Sequence, residues 1–199
     1  MTERRDKLRP AVFLDRDGTL NEDIGFMDRM EALSLFPWTA DAIRLLNRAG
    51  FCTVVTTNQS AVARGLIDEG FLNVVHQEID RRLARGGARI DRYFYCPHHP
   101  EAPLESYRRV CECRKPRPGM ILTAARELGL DLARSVMVGD RRLDVMSGHA
   151  AGVRAVLVRT GLGAVEEEDL VEDGEAQPDA ILNNLMEAVG WILRNSSRS

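Results

Sequence analysis

No apolar run in the 199 residues approaches the ~20 that a membrane-spanning helix needs. The opening Met1-Thr2-Glu3-Arg4-Arg5-Asp6-Lys7 has no apolar segment of signal-peptide type behind it. Charge of one sign is also lacking. Lys and Arg number 27 against 30 Asp and Glu, a formal net charge of −3, which argues against a general nucleic-acid binder, normally basic. There is no internal repeat, and no linker that would split the chain into two folding units. These absences point to a cytoplasmic protein without nucleic-acid or membrane partners, expected to be a monomer and a single domain over 1–199. That length is enough for one α/β domain with a sizeable core. Cysteine is sparse, four in all, but Cys96, Cys111 and Cys113 fall in one short region. Clustered cysteines in a cytosolic chain point to metal more often than to disulfides.

Six short apolar or β-branched runs read as strands: 11–15, 51–57, 90–95, 135–139, 153–158 and 179–182. Between them lie helical patterns. Ala42, Ile43, Leu46 and Ala49 make one face, closed by Gly50. Asp68 is a candidate N-cap for a helix to Arg85, with Phe71, Val75, Ile79 and Leu83 along one side. Pro118 opens a helix running to Gly129, Arg142–Ala151 makes a short one, and Asn184–Arg194 a last one. Residues 1–10 and 195–199 read as loosely ordered ends, and 161–178 as an acidic loop. The alternation predicts a doubly wound parallel sheet with helices on both faces. The connection from Arg16 to Pro37 is long enough to fold over a site as a flap. Cys52, inside the second strand, reads as core, and His76 as a surface or hydrogen-bonded residue rather than a catalytic one.

The strands end in polar groups: Asp15-Arg16-Asp17, Thr57-Asn58-Gln59-Ser60, and Gly139-Asp140, while Arg114-Lys115 closes the segment after the third strand. In a parallel sheet these ends share one edge, where ligands bind. Carboxylates, a hydroxyl and cations meeting there suit a phosphate held with Mg²⁺. Asp144 reads as a supporting partner or a solvated helix residue. Arg141 is open between a substrate contact and a surface charge.

Asp15-Arg16-Asp17-Gly18-Thr19, Thr57-Asn58, Lys115 and Gly139-Asp140 resemble the four ordered motifs of the haloacid dehalogenase-like hydrolases. FLDRDGTLN, TNQS, CPHHP, CRKP-x-PGM and VGD resemble two phosphatase families within it, those of heptose bisphosphate and of histidinol phosphate. The resemblance implies an HAD-like, Rossmann-like phosphatase of a small phosphorylated sugar, without a cap domain. Asp15 would be the nucleophile and Asp17 the general acid and base. Thr57 and Lys115 would hold the phosphoryl group. Mg²⁺ would lie between the Asp15 carboxylate, the main-chain carbonyl of Asp17 and the Asp140 carboxylate. The substrate would be met by Asp23, Gly25, Phe26, Thr57, Asn58, Gln59, Ser60, Arg114, Lys115 and Arg141. A reading of another class is a phospho-acceptor signalling domain, which also gathers aspartates, Thr and Lys around Mg²⁺.

Cys96-Pro97-His98 and Cys111-Glu112-Cys113 together offer three sulfurs and an imidazole, a closed tetrahedral set for structural Zn²⁺. Sequence alone does not separate His98 from His99; the resemblance selects His98. The segment 96–117 is then a zinc-binding loop inserted in the fold. It leads directly into Arg114 and Lys115.

Overall fold

A computed structural model describes residues 8–173 and 177–196, with side chains of 170–173 left aside. Its strands are β1 (Arg9–Leu14), β2 (Cys52–Asn58), β3 (Arg92–Cys96), β4 (Leu130–Gly139), β5 (Arg154–Val158) and β6 (Ala180–Leu182). All pair in parallel, in the order β3-β2-β1-β4-β5-β6. The chain steps outward from β1 to β3, then crosses back to build the other half from β4. The order therefore reverses beside β1, the crevice where such sheets take ligands.

The helices are α1 (Thr39–Arg48), α2 (Ser60–Ala63), α3 (Glu69–Arg85), α4 (Gly119–Leu128), α5 (Arg142–Ala150), α6 (Gly163–Asp173) and α7 (Leu185–Ser196). Ala11–Leu14 of β1 are wholly buried because both sheet faces are covered. Val12 and Leu14 join Ile43, Ile79 and Val189 of α1, α3 and α7 in one core. Ala11 and Phe13 join Ile121 and Val145 of α4 and α5 in the other. An uninterrupted apolar run, not an alternating one, is what a strand between two helical layers requires.

Local chemistry explains the helix ends. Asp68 caps α3 by accepting from the Phe71 N–H at 2.7 Å. Gly129 ends α4 in the left-handed conformation, φ 62°. Several expectations need correction. The arm over 1–10 gives up Arg9 and Pro10 to β1, where they pair with Leu130 and Asp131 ahead of a register shift. β4 therefore starts at Leu130, well before Ser135. The acidic stretch expected as loop contains α6. Asn195 and Ser196, expected in a loose tail, belong to α7. Residues 1–7, 174–176 and 197–199, parts of the expected loose arm, acidic loop and tail, lie outside the described residues. No described helix is long and apolar enough to cross a membrane.

Candidate active site

Lys115 organises the strand ends. Its ammonium is buried and donates to Asp15 Oδ1 at 2.7 Å, to the Thr56 carbonyl at 2.8 Å and to Asp144 Oδ1 at 2.5 Å. Asn58 seats it: Nδ2 donates to the Lys115 carbonyl and Oδ1 accepts from the Lys115 N–H, both at 3.1 Å. Asp144 is thus the supporting partner, 1% exposed, and its other oxygen accepts from the Arg141 N–H at 3.1 Å.

Asp15 and Asp17 occupy different electrostatic settings. Burial raises the Asp15 carboxyl to about 6; Lys115 lowers it, and the Asp144 and Asp17 charges oppose that. For Asp17 burial also pushes upward, but the Arg16 guanidinium and hydrogen bonds from Arg16, Asn21 and Gln59 hold it below the usual carboxylate range. Arg16 is 1% exposed and reaches back to Asp17 with Nε at 3.0 Å and Nη2 at 2.7 Å. Asn21 Nδ2 and Gln59 Nε2 complete the set, each at 2.9 Å. Arg16 and Asn21 were not singled out in the sequence. Their side chains turn inward, which residue type and spacing do not announce.

Asp140 is wholly buried. The loop after β5 wraps it: Leu162 N–H donates to Oδ2 at 2.9 Å, and Thr160 Oγ1 donates to the Gly18 carbonyl at 2.6 Å. A Cβ on Gly18 or Gly161 would stand 2.1 or 2.2 Å from Asp140 Oδ2, so only glycine fits at either place. This loop is the largest site element that sequence reasoning missed. Burial, then the Asp15 and Asp144 charges, push the Asp140 carboxyl up to about 8.

A cavity of about 280 Å³ opens over Asp15, Asp17, Lys115 and Asp144, while Asp140 is not among its lining residues. Asp15, Asp17 and all ten expected substrate contacts line it, from Asp23, Gly25 and Phe26 on the flap to Arg114 and Arg141. Met27, Ala61 and Leu143 line it as well. The flap is pinned by Met27 and Leu33, which are buried in the core. Its tip carries the Phe26 ring under the Arg64 guanidinium, 5.5 Å from the ring centre.

The chain is similar to known proteins over nearly its whole length. It is 42% identical to the D-glycero-beta-D-manno-heptose-1,7-bisphosphate 7-phosphatase of Escherichia coli K12, covering 88% of this chain and 90% of that one. With the protein of the same name from Vibrio cholerae it shares 40% identity over 94% of this chain and 97% of the other. The HAD-hydrolase-like family model matches residues 112–188. The chain belongs to the haloacid dehalogenase-like phosphatases. It is a phosphoric monoester hydrolase, which removes the signalling-domain reading. Among solved structures, this phosphatase superposes on the D,D-heptose 1,7-bisphosphate phosphatase of B. bronchiseptica, complexed with magnesium and phosphate. The TM-score is 0.81 at 34% identity, over 94% of this chain and 99% of that one. A D,D-heptose 1,7-bisphosphate phosphatase from Burkholderia thailandensis gives 0.67 at 29% identity, over 93% and 99%.

Phosphatases of this family use Mg²⁺, and the donor set here fits a hard cation. Oxygens of Asp15, Asp140 and Asp144 lie within 4.8 Å of one another. Asp140 Oδ1 is buried without a hydrogen-bond partner, an acceptor left over. The Asp17 carboxylate is taken up by Arg16, Asn21 and Gln59, which leaves its main-chain carbonyl as the atom the resemblance assigns to the cation.

The four soft donors of this phosphatase also meet. Cys111 Sγ lies 3.5 Å from Cys96 Sγ and 3.3 Å from Cys113 Sγ. His98 Nδ1 is 3.8 Å from Cys96 Sγ and 3.4 Å from Cys113 Sγ. Those spacings suit the edges of a tetrahedron with ~2.3 Å metal–sulfur bonds. His99 stands apart, its Nδ1 accepting from the Glu101 N–H at 3.1 Å, so His98 is the imidazole of the cluster. His76 is neither exposed nor fully satisfied. It is buried, stacked on Tyr93 with centroids 4.3 Å apart, and its Nε2 has no partner.

Proposed function

We propose that this phosphatase removes the 7-phosphate of D-glycero-β-D-manno-heptose 1,7-bisphosphate. The observation that carries the reading is a chain 40–42% identical, nearly end to end, to phosphatases of that name. Its geometry supports the same reading: Asp15, Asp17, Thr57 and Lys115 open into one cavity with two arginines on its wall.

The residue roles are those the family resemblance implies. The Asp15 carboxylate attacks phosphorus as the bond to the sugar oxygen breaks, giving an aspartyl-phosphate. Asp17 delivers the proton to the leaving oxygen, then takes one from the water that hydrolyses the intermediate. Lys115 orients Asp15 and spreads positive charge toward the transferring group, and Thr57 donates its hydroxyl to a phosphoryl oxygen. Arg114 and Arg141 suit the second phosphate of a bisphosphate. Mg²⁺, held by the Asp15 and Asp140 carboxylates and the Asp17 carbonyl, would supply charge that lets an anionic phosphate approach Asp15. Zn²⁺ on Cys96, His98, Cys111 and Cys113 would be structural, since the four donors leave it no open position.

A phosphate-release assay with and without Mg²⁺ tests this on heptose bisphosphate and histidinol phosphate. The heptose should win in kcat/KM. A preference for histidinol phosphate of about tenfold or more, ~1.4 kcal/mol of transition-state binding, would reassign the substrate.

A further inference from the structure

Gln59 touches three of the groups just described and is 5% exposed. It directly follows β2, and its backbone N–H is fixed on the Cys96 carbonyl at 2.8 Å. Its Nε2 donates to Thr57 Oγ1 and to Asp17 Oδ2, each at 2.9 Å, while Oε1 accepts from Arg16 Nη2 at 3.0 Å. The amide can sit only this way round. Reversed, its NH₂ would face a guanidinium and its oxygen a carboxylate.

We propose that Gln59 is a positioning residue for phosphoryl transfer, holding the Thr57 hydroxyl as a donor toward the transferring group and Asp17 beside it. The inference rests on the roles given above to Thr57 and Asp17. A hydroxyl has one hydrogen to give and two lone pairs to offer. Because Thr57 Oγ1 accepts from Gln59, its own hydrogen points elsewhere, and Thr57 lines the cavity. One side chain thus sets the direction of one polar group and the place of another. The job needs two N–H bonds from one nitrogen with an acceptor alongside. Glutamate would set oxygen against Asp17, and asparagine falls one methylene short.

The test uses Gln59→Met, which keeps volume and loses the amide, with orthovanadate and inorganic phosphate as probes. Orthovanadate resembles the five-coordinate transition state, and phosphate the ground state. Expected is a fall in kcat of about 30-fold or more with KM within about threefold, and a rise in the vanadate inhibition constant of about tenfold against little change for phosphate. Thr57→Val should cost much less in the Gln59→Met background than in the parent, since both remove one hydrogen bond. A kcat within threefold of the parent, or additive losses in the double variant, would overturn the proposal. Should Gln59→Met lower the melting temperature by more than about 5 °C, Gln59→Asn is read by the same criteria. Failure of the underlying reading looks different: Asp15→Asn or Thr57→Val would then keep parental activity whatever Gln59 does.

Discussion

Two carboxylates only two positions apart are shifted in opposite directions by what surrounds them. Asp15 is raised to about 6 by burial, whereas Asp17 is held low by Arg16 despite its burial. The family resemblance, rather than these shifts, gives Asp15 and Asp17 their separate roles. Asp15→Asn should lower turnover by about 10⁴-fold or more, since the nucleophile is gone. Asp17→Asn should slow turnover by about 10²–10⁴-fold and leave an acid-quenchable phosphoenzyme, because proton transfer is lost but attack is not. Equal residual rates with no trapped phosphoenzyme in either variant would show that the roles are not divided. His76 gives a second residue-scale prediction, on stability. Burial, then the neighbouring Arg16 charge, lower its pKa to about 3 from an ordinary 6.5. Between those values the unfolded chain binds a proton that the folded one refuses. The stability this group gives is complete above pH ~6.5 and drains away as pH falls toward 3, at up to about 1.4 kcal/mol per unit. His76→Phe keeps a ring on Tyr93 and should flatten the urea-denaturation profile below pH 6.5. An unchanged slope would mean that His76 titrates normally.

At the scale of elements, the Thr160–Leu162 turn after β5 carries a prediction that its short length hides. Gly161 has φ +60°, and a Cβ there would stand 2.2 Å from Asp140 Oδ2 and 2.6 Å from Gly18 Cα. Gly161→Ala should push Asp140 out of place and raise the Mg²⁺ concentration for half-maximal activity by about 10–100-fold, read by metal titration. Unchanged half-activation would show that the turn does not position Asp140. Sequence showed the strand exits clearly, because buried parallel strands are continuous apolar runs and their polar ends stand out against them. It did not show this turn, whose work is done by backbone N–H groups and a missing Cβ. α6 escaped for another reason. Its Glu166, Glu167, Glu168 and Asp169 give no apolar stripe, so periodicity has nothing to report. The first half of β4 mixes Leu130, Asp131 and Arg134 and lies beside only the start of β1, where one continuous run is not required. The Cys and His cluster, by contrast, was legible as a set; spacing alone does not separate His98 from His99, the resemblance chooses His98, and the structure groups His98 with the three cysteines.

For the whole molecule, the sheet and the metal loop are stabilised by separate means. Among the described residues, the two cores draw on the strands and on α1, α3, α4, α5 and α7, and Cys96 alone among the four soft donors lies in a strand. The segment 96–117 is tied to the rest through β3, the Asn58 side-chain amide paired with the Lys115 backbone, and Glu69, which accepts from Tyr95 at 2.6 Å and from Tyr107 at 2.9 Å. Arg114 Nη1 in turn donates to the His98 carbonyl at 3.1 Å, so the residue before Lys115 leans on the metal cluster itself. Loosening the four donors should therefore disturb Arg114 and Lys115 before it disturbs the sheet. Removing Zn²⁺ with a chelator, then restoring Mg²⁺, should cut kcat/KM by about tenfold or more, since misplacing a catalytic group by 1 Å can cost about 10²-fold. The main thermal transition and the far-ultraviolet dichroism should be nearly retained, and Zn²⁺ alone should restore the rate. Full turnover by protein verified to be zinc-free would break the link between the loop and Lys115. Collapse of the whole transition on chelation would instead make the cluster part of the fold's foundation, contrary to a sheet whose cores are closed without it.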